Sequence, residues 1–165
     1  MTRSFSPLTE VMLTLPAPVP ASRARSNGAR RFHVATEPYA VWRAAAEPLV
    51  RRAWPRPPLA GPVELLIAAI LPRPENRPSW CPKDVWAAGG RFRHAPERGP
   101  DWDNFGKAVS DAIQMPAELR KVRGAVGYPV RDDGQVAAGR VEKWIASSTE
   151  AARTVVLIRG IGWVA

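Results

Sequence analysis

The sequence predicts a small α/β domain, and three observations carry that prediction. Two segments repeat their apolar residues with helical periodicity, and four short β-rich runs are bounded by proline, glycine or polar clusters. They follow one another in the order β-α-β-α-β-β, which implies a mixed β-sheet flanked by two main helices. A chain of 165 residues that is 45% hydrophobic is one domain long and can bury roughly two-thirds of its unfolded surface, so residues 1–165 are read as one domain. Nothing repeats at a fixed period, which excludes solenoids and propellers.

The first run, Val11 to Leu15 (VMLTL), reads as a strand stopped by P-A-P-V-P, whose prolines cannot donate to a continuing ladder. The polar, basic stretch Ser22 to Arg31 reads as a DNA-facing loop with a turn at Asn27-Gly28. Thr36 then offers an N-cap. Apolar residues recur at Trp42, Ala45, Ala46, Leu49, Val50, Ala53 and Trp54, which predicts an amphipathic helix that Pro48 should kink or split. Val63 to Leu71 (VELLIAAIL), bounded by Pro62 and Pro72, has the length of a buried central strand.

From Pro72 to Pro100 no period is evident, and a loop of that length is usually functional or mobile. Phe105, Ala108, Val109, Ala112 and Ile113 then define one apolar helix face, leaving Asp103, Lys107, Ser110 and Asp111 on the other. A basic loop, Met115 to Tyr128, follows. Gln135 to Ile145 and Arg153 to Ile158 are the last two strands.

The charge is lopsided. Lys+Arg total 24 against 15 Asp+Glu, a formal +9, and 20 of those 24 basic residues are arginine, whose planar fork suits phosphate. Five of the six aspartates, Asp101, Asp103, Asp111, Asp132 and Asp133, lie between positions 101 and 133. The expected partners are therefore anionic, with a local acidic exception.

Several classes are excluded. The longest apolar run, Leu65 to Leu71, is far short of the roughly 20 residues of a membrane span. Glu10 and the early prolines interrupt any signal-peptide core. The lone Cys81 allows neither an internal disulfide nor a thiolate zinc cage and fits a cytoplasmic setting. No glycine-rich phosphate loop with a downstream lysine is present, and G-I-G at 160–162 precedes no helix, so no nucleotide cofactor is expected. His33 and His94 have no partner histidine at helical spacing.

Asp101 and Asp103 are two residues apart at a helix N-terminus, with Lys107 one turn on, and Asp132-Asp133 precede a strand. Carboxylates this close need protons, basic groups or a hard cation, and magnesium is the natural ion. The same residues also suit plainer roles. Asp103 can N-cap the helix, Asp103 and Lys107 can form an i, i+4 pair, and Asp132-Asp133-Gly134 is a good turn.

The strings themselves favour the first reading. P-D-W-D-N-F-G-K-A-V-S-D-A-I at 100–113, R-D-D-G-Q-V at 131–136 and V-E-K-W at 141–144 closely resemble the RusA family of Holliday junction resolvases, whose core pattern is P-D-x-D-N-x-x-K-x-x-x-D-A followed by D-D-x-Q-V. The S-W-C-P-K stretch at 79–83 is similar to phage-borne members, and the likeness extends over most of the chain. The resemblance implies a homodimeric α/β crossover junction endodeoxyribonuclease of DNA recombination and repair. Such enzymes bind four-way junctions and nick opposed strands, leaving 3′-hydroxyl and 5′-phosphate ends, with Mg2+ as cofactor and Mn2+ as its substitute.

Carried onto this sequence, the resemblance makes Asp101, Asp103, Lys107 and Asp133 the catalytic set. Asp101, Asp103 and Asp133 become metal ligands, with Asp132 as an additional candidate. Asn104 and Asp111 fall on the motif as supporting residues, Asp111 by orienting Lys107. Around them, Arg23, Arg25, Arg30, Arg31, Arg91, Arg93, Arg98 and Lys143 are the candidate DNA contacts. Trp80, Trp86 and Phe92 can stack on bases at a crossover but more often would pack against their own domain. Two features depart from the family pattern: Gly106 inside the motif helix, and the long Met115–Tyr128 loop. Two alternatives remain in view, a nuclease preferring flaps or other branched DNA, and a non-catalytic basic DNA-binding protein.

Overall fold

Val63–Leu71 forms the strand around which the domain is organised. The computed structural model describes residues 10–21, 25–27, 30–32, 37–94 and 102–161. Its elements are β1 (Glu10–Leu15), a hairpin of β2 (Arg25–Asn27) and β3 (Arg30–Phe32), α1 (Glu37–Ala53), β4 (Val63–Leu71), α2 (Lys83–Ala87), β5 (Phe92–Arg93), α3 (Trp102–Ile113), β6 (Val136–Ile145) and β7 (Arg153–Gly160). Short 3-10 turns occupy Leu119–Lys121 and Asp133–Gln135. The main sheet has the order β1-β7-β4-β6-β5 and is mixed: β4 and β6 run parallel, while β1–β7, β7–β4 and β5–β6 are antiparallel. The α/β class, the mixed sheet, the central place of β4 and the two main helices agree with the sequence.

Both long helices pack on one face of the sheet. Val63, Leu65 and Ile67 of β4, Leu13 and Leu15 of β1, and Val156 and Ile158 of β7 alternate into a single core with Trp42, Ala46 and Val50 of α1 and Ala108, Val109, Ala112 and Ile113 of α3. The period-2 burial of the strands meets the 3.6-residue period of the helices there, which is what fixes register. Among the described residues, no helix is long and apolar enough to cross a membrane.

Three expectations are corrected. The basic stretch 22–31, read as a loop, carries β2 and the start of β3, which pair antiparallel with Asn27 opposite Arg30. Pro48 does not split α1, which is continuous from Glu37 to Ala53. The carbonyl that loses its partner belongs to Ala44, which is exposed, so water can satisfy it. The helix face is also narrower than the periodicity suggested: Ala45 and Ala53 are exposed and Leu49 is 40% exposed, whereas Tyr39 joins the core.

The segment 72–94 is likewise not structureless. It carries α2 and β5, and its aromatics build a second cluster in which Trp80, Trp86 and Leu71 pack around Cys81, Phe92 and Ile145. The Arg73 guanidinium lies 4.0 Å from the Trp86 ring centroid and donates to the carbonyl of Trp86 at 2.8 Å. Trp80, Trp86 and Phe92 therefore pack on their own domain. His33 lies outside the described residues.

Gly106 has a packing reason. A Cβ built there would stand 3.3 Å from Cγ2 of Val141, so α3 rides directly on β6 and glycine lets it approach. Filling that space with a larger side chain forces the layers apart. Gly106→Leu is expected to destabilise the domain by about 1–3 kcal/mol, read as a shift in urea midpoint at constant m-value. An unchanged midpoint would show that α3 is not seated this closely.

Candidate functional site

The first motif string lies along α3. The five residues of its apolar face, Phe105, Ala108, Val109, Ala112 and Ile113, are all buried, which turns Asp103 and Lys107 outward, while Trp102 at the start of the helix is exposed. Asp103 sits in the first turn, exposed and without a side-chain partner among the described residues. A carboxylate at that position is favoured by the helix dipole and remains available to a ligand. The backbone carbonyl of Asn104 accepts from the N–H of Ala21 at 3.0 Å, pinning the segment after β1 to the start of α3. Asp101 lies outside the described residues.

Lys107 reaches forward rather than back. Its Nζ is 3.2 and 3.1 Å from the two oxygens of Asp111, one turn along. Asp111 is in turn held by the Tyr39 hydroxyl, which donates to Oδ2 at 2.8 Å, and by Gln114 Nε2 at 3.3 Å. Burial, then the bond to Asp111, raises the Tyr39 hydroxyl well above the usual phenol range, so it stays a donor at any working pH. The ammonium therefore rests on a carboxylate whose own position is set by two further side chains.

The second string lies at the other end of α3. Gln114 forms a parallel bridge with Val130, and the N–H of Met115 donates to the carbonyl of Val130 at 2.8 Å, which delivers Asp132 and Asp133 just beyond the helix C-terminus. Asp132 caps the Asp133–Gln135 turn, accepting from the N–H of Gly134 at 3.0 Å, while Gln135 reaches back to the backbone N–H of Asp132. The turn is anchored by Gln135 Nε2, which donates to the carbonyls of Leu59 and Gly61 at 2.9 and 2.8 Å. The N–H of Gly134, then the side chain of Asp133, hold the Asp132 carboxyl below the usual carboxylate range, with Arg120 adding to the effect. Neighbouring carboxylates in one turn repel when both are charged, a repulsion that a proton, a basic group or a cation relieves.

A chain of polar contacts joins the two strings. Arg120 forms an ion pair with Asp132, donates from Nη2 to Gln114 Oε1 at 3.2 Å and from Nε to the carbonyl of Met115 at 2.9 Å. Gln114 passes the connection to Asp111, and Asp111 to Lys107. Tyr39, Gln114 and Arg120 were not singled out as site residues by the motif. Only Arg120 gave a signal, as one cation in a basic loop, and nothing in the sequence ties it to Asp132 across the Met115–Tyr128 segment.

In a single chain these groups do not meet at one point. From Asp103 to Gln114 is eleven residues of helical rise, about 16 Å. Asp103 stands near the end of the sheet where β4 and β6 finish, and Asp133 near the end where they begin. Among the described residues no three His, Cys, Asp or Glu side chains gather closely enough to hold a metal ion.

The candidate DNA contacts divide. Arg23 and Arg98 lie outside the described residues, and Arg25, Arg30 and Arg31 fall on the β2–β3 hairpin. Arg91 is ion-paired with Glu150, and Arg93 pairs with Glu142 at 3.4 Å and lies over Trp144 at 4.4 Å. The main-chain carbonyl of Lys143 accepts from the N–H of His94 at 3.0 Å, and burial lowers the His94 imidazole, with Lys143 acting in the same direction.

Arg91 holds Glu150 down to about 2, helped by the N–H of Ser147 and by Arg153. Because the folded-state value lies below the unfolded one, this stabilisation is fully present above about pH 5 and drains away as pH falls toward 2. The melting temperature should accordingly fall over that interval, and Glu150→Gln should flatten the fall. Parallel acid profiles for wild type and variant would remove Glu150 from the acid response.

The family model described as endodeoxyribonuclease RusA matches residues 16–159. No curated protein matches the chain. The match takes in both motif strings, the helix that carries the first and the turn that carries the second, together with four of the five strands of the main sheet; β1 lies before it. The chain belongs to the RusA endodeoxyribonuclease family.

Proposed function

We propose that this protein is a Mg2+-dependent endonuclease that resolves four-way DNA junctions by paired nicks, acting as a homodimer in DNA recombination and repair. The observation that carries the reading is the family match over residues 16–159, with Asp103 and Lys107 of its motif turned to solvent on α3. Asp101, Asp103 and Asp133, with Asp132 beside them, are the residues that would hold the cation. Their donors are all carboxylate oxygens, the chemistry a hard divalent ion requires. Such an ion supplies a more acidic water and neutralises charge on the scissile phosphate.

The remaining work falls to the chain itself. Lys107 offers a fixed ammonium to the non-bridging phosphate oxygens, where charge builds as the bond to the leaving oxygen breaks. Asp111, held by Tyr39 and Gln114, orients that ammonium, and Asn104 ties the start of α3 to the segment after β1. The length of α3 between Asp103 and Asp133 also bears on assembly. A centre using both carboxylates takes one from each of two protomers, and a two-fold pair of such centres suits two opposed nicks.

The test is incision of labelled four-way, flap and linear DNA in Mg2+, Mn2+ or EDTA. Paired, metal-dependent nicks in the four-way substrate are the expected result. No incision of any branched substrate would overturn the nuclease reading, and flap cleavage beside an intact four-way junction would replace the substrate.

A further inference from the structure

The long Met115–Tyr128 segment does more than connect α3 to the Asp132–Asp133 turn. It folds into a built lobe. The N–H of Leu119 donates to the carbonyl of Pro116, that of Val122 to Leu119, and that of Gly127 to Arg56, at 3.0, 3.0 and 3.2 Å. Gly124 takes φ +77° at the lobe's tip, a conformation open to glycine and strained for other residues. Met115, Tyr128 and Val130 are buried and anchor its two ends.

Between this lobe and the Pro57-Pro58 connector lies a groove of about 380 Å³. Four cations line it, Arg120, Lys121, Arg123 and Arg131, and no carboxylate does. Arg120 is committed to Asp132 and Gln114, and Arg131 donates from Nη2 to the carbonyl of Arg120 at 3.2 Å. Lys121 and Arg123 are exposed and have no side-chain partner among the described residues. A concave, cation-lined surface focuses positive potential, and unpaired cations there contribute the largest electrostatic gain to an incoming anion.

We infer that this groove is a binding site for the phosphodiester backbone of a DNA arm, with Lys121 and Arg123 as its phosphate contacts. Arg120 connects the groove to the carboxylates, since one guanidinium lines the groove and pairs with Asp132. DNA seated there lies next to the Asp132–Asp133 turn. The proposal rests on the nuclease reading for the identity of the polymer, and it adds the surface that holds an arm beyond the cleavage centre. The contacts are to phosphate, so they add affinity without reading base sequence.

The experiment is a salt titration of four-way DNA binding by full-length protein in EDTA, comparing wild type, K121Q/R123Q, the charge-keeping K121R/R123K, and R52Q/K83Q, which removes two exposed cations elsewhere. Each phosphate contact contributes about 0.9 to the slope of log affinity against log salt, so K121Q/R123Q should bind more weakly with a slope lower by about 2. K121R/R123K should recover the wild-type slope, and R52Q/K83Q should retain it. An unchanged slope in K121Q/R123Q, or an equal drop in R52Q/K83Q, would overturn the groove as a distinct site. Incision of the same DNA in Mg2+ separates the two readings. Wild-type cutting with an unchanged K121Q/R123Q slope removes the groove and leaves the nuclease. Binding without cutting, with the slope lowered in K121Q/R123Q alone, removes the nuclease and leaves the groove.

Discussion

Asp103→Asn is expected to bind four-way DNA within about twofold of wild type while its incision rate falls more than about a hundredfold. The asymmetry follows from where the residue stands. Asp103 is exposed in the first turn of α3 and makes no hydrogen bond or ion pair with another described side chain, so its replacement leaves no described polar partner unpaired. The structural cost is confined to the helix dipole, about 0.3–1 kcal/mol. What the amide removes is the anionic charge of a proposed metal ligand. Loss of groups that merely orient a ligand already costs about 10–100-fold, and a ligand itself should cost more. Single-turnover incision in saturating Mg2+, beside a binding titration in EDTA, measures both halves. An Asn variant that cuts at more than a tenth of the wild-type rate would leave Asp103 a first-turn carboxylate favoured by the helix dipole and nothing more.

That variant also separates what the sequence could say from what it could not. The α3 face was legible residue by residue, because five apolar side chains at i, i+3, i+4, i+7 and i+8 have one geometric solution and the structure buries all five. β4 was legible for a similar reason: nine residues between prolines, a length that suits a buried strand better than a helix and a composition too apolar for an edge. The 72–94 segment was not. Its order comes from Trp80, Trp86, Phe92 and Arg73 packing with Leu71 and Ile145, contacts of long sequence separation that leave no local period. The β2–β3 hairpin was hidden by composition, since a basic stretch that reads as a DNA-facing loop here forms two short paired strands.

The site divides along the same line. Identity and spacing of Asp103, Lys107 and Asp111 are local and follow from the helix. The bond from Tyr39 to Asp111 crosses 72 positions, and the tie from Arg120 to Asp132 depends on how the Met115–Tyr128 lobe folds back. Spacing alone puts Lys107 within reach of carboxylates one turn away on either side. The structure turns it toward Asp111, where two further partners hold the acceptor in place.

Two positions beyond Asp103, Phe105→Ala should produce the opposite phenotype. Phe105 is 1% exposed, on the face of α3 turned away from Asp103 and Lys107. Truncating a buried phenylalanine costs about 3–5 kcal/mol through lost transfer energy and the cavity left behind. At about 2–4 °C per kcal/mol for a chain of this size, the melting temperature should fall by roughly 6–20 °C. The chemistry should survive wherever the chain stays folded, because no polar contact of the site passes through the ring. Incision per folded molecule, measured well below the lowered melting point, is therefore expected to remain within a few-fold of wild type. Phe105→Leu, which keeps most of the volume, should recover much of the stability. A stable Phe105→Ala protein that fails to cut would mean that the ring itself positions Asp103 or Lys107, and that stability and catalysis on α3 are not divided between its two faces. A destabilised protein that cuts normally when cold would place the fold on the buried face and the chemistry on the exposed one.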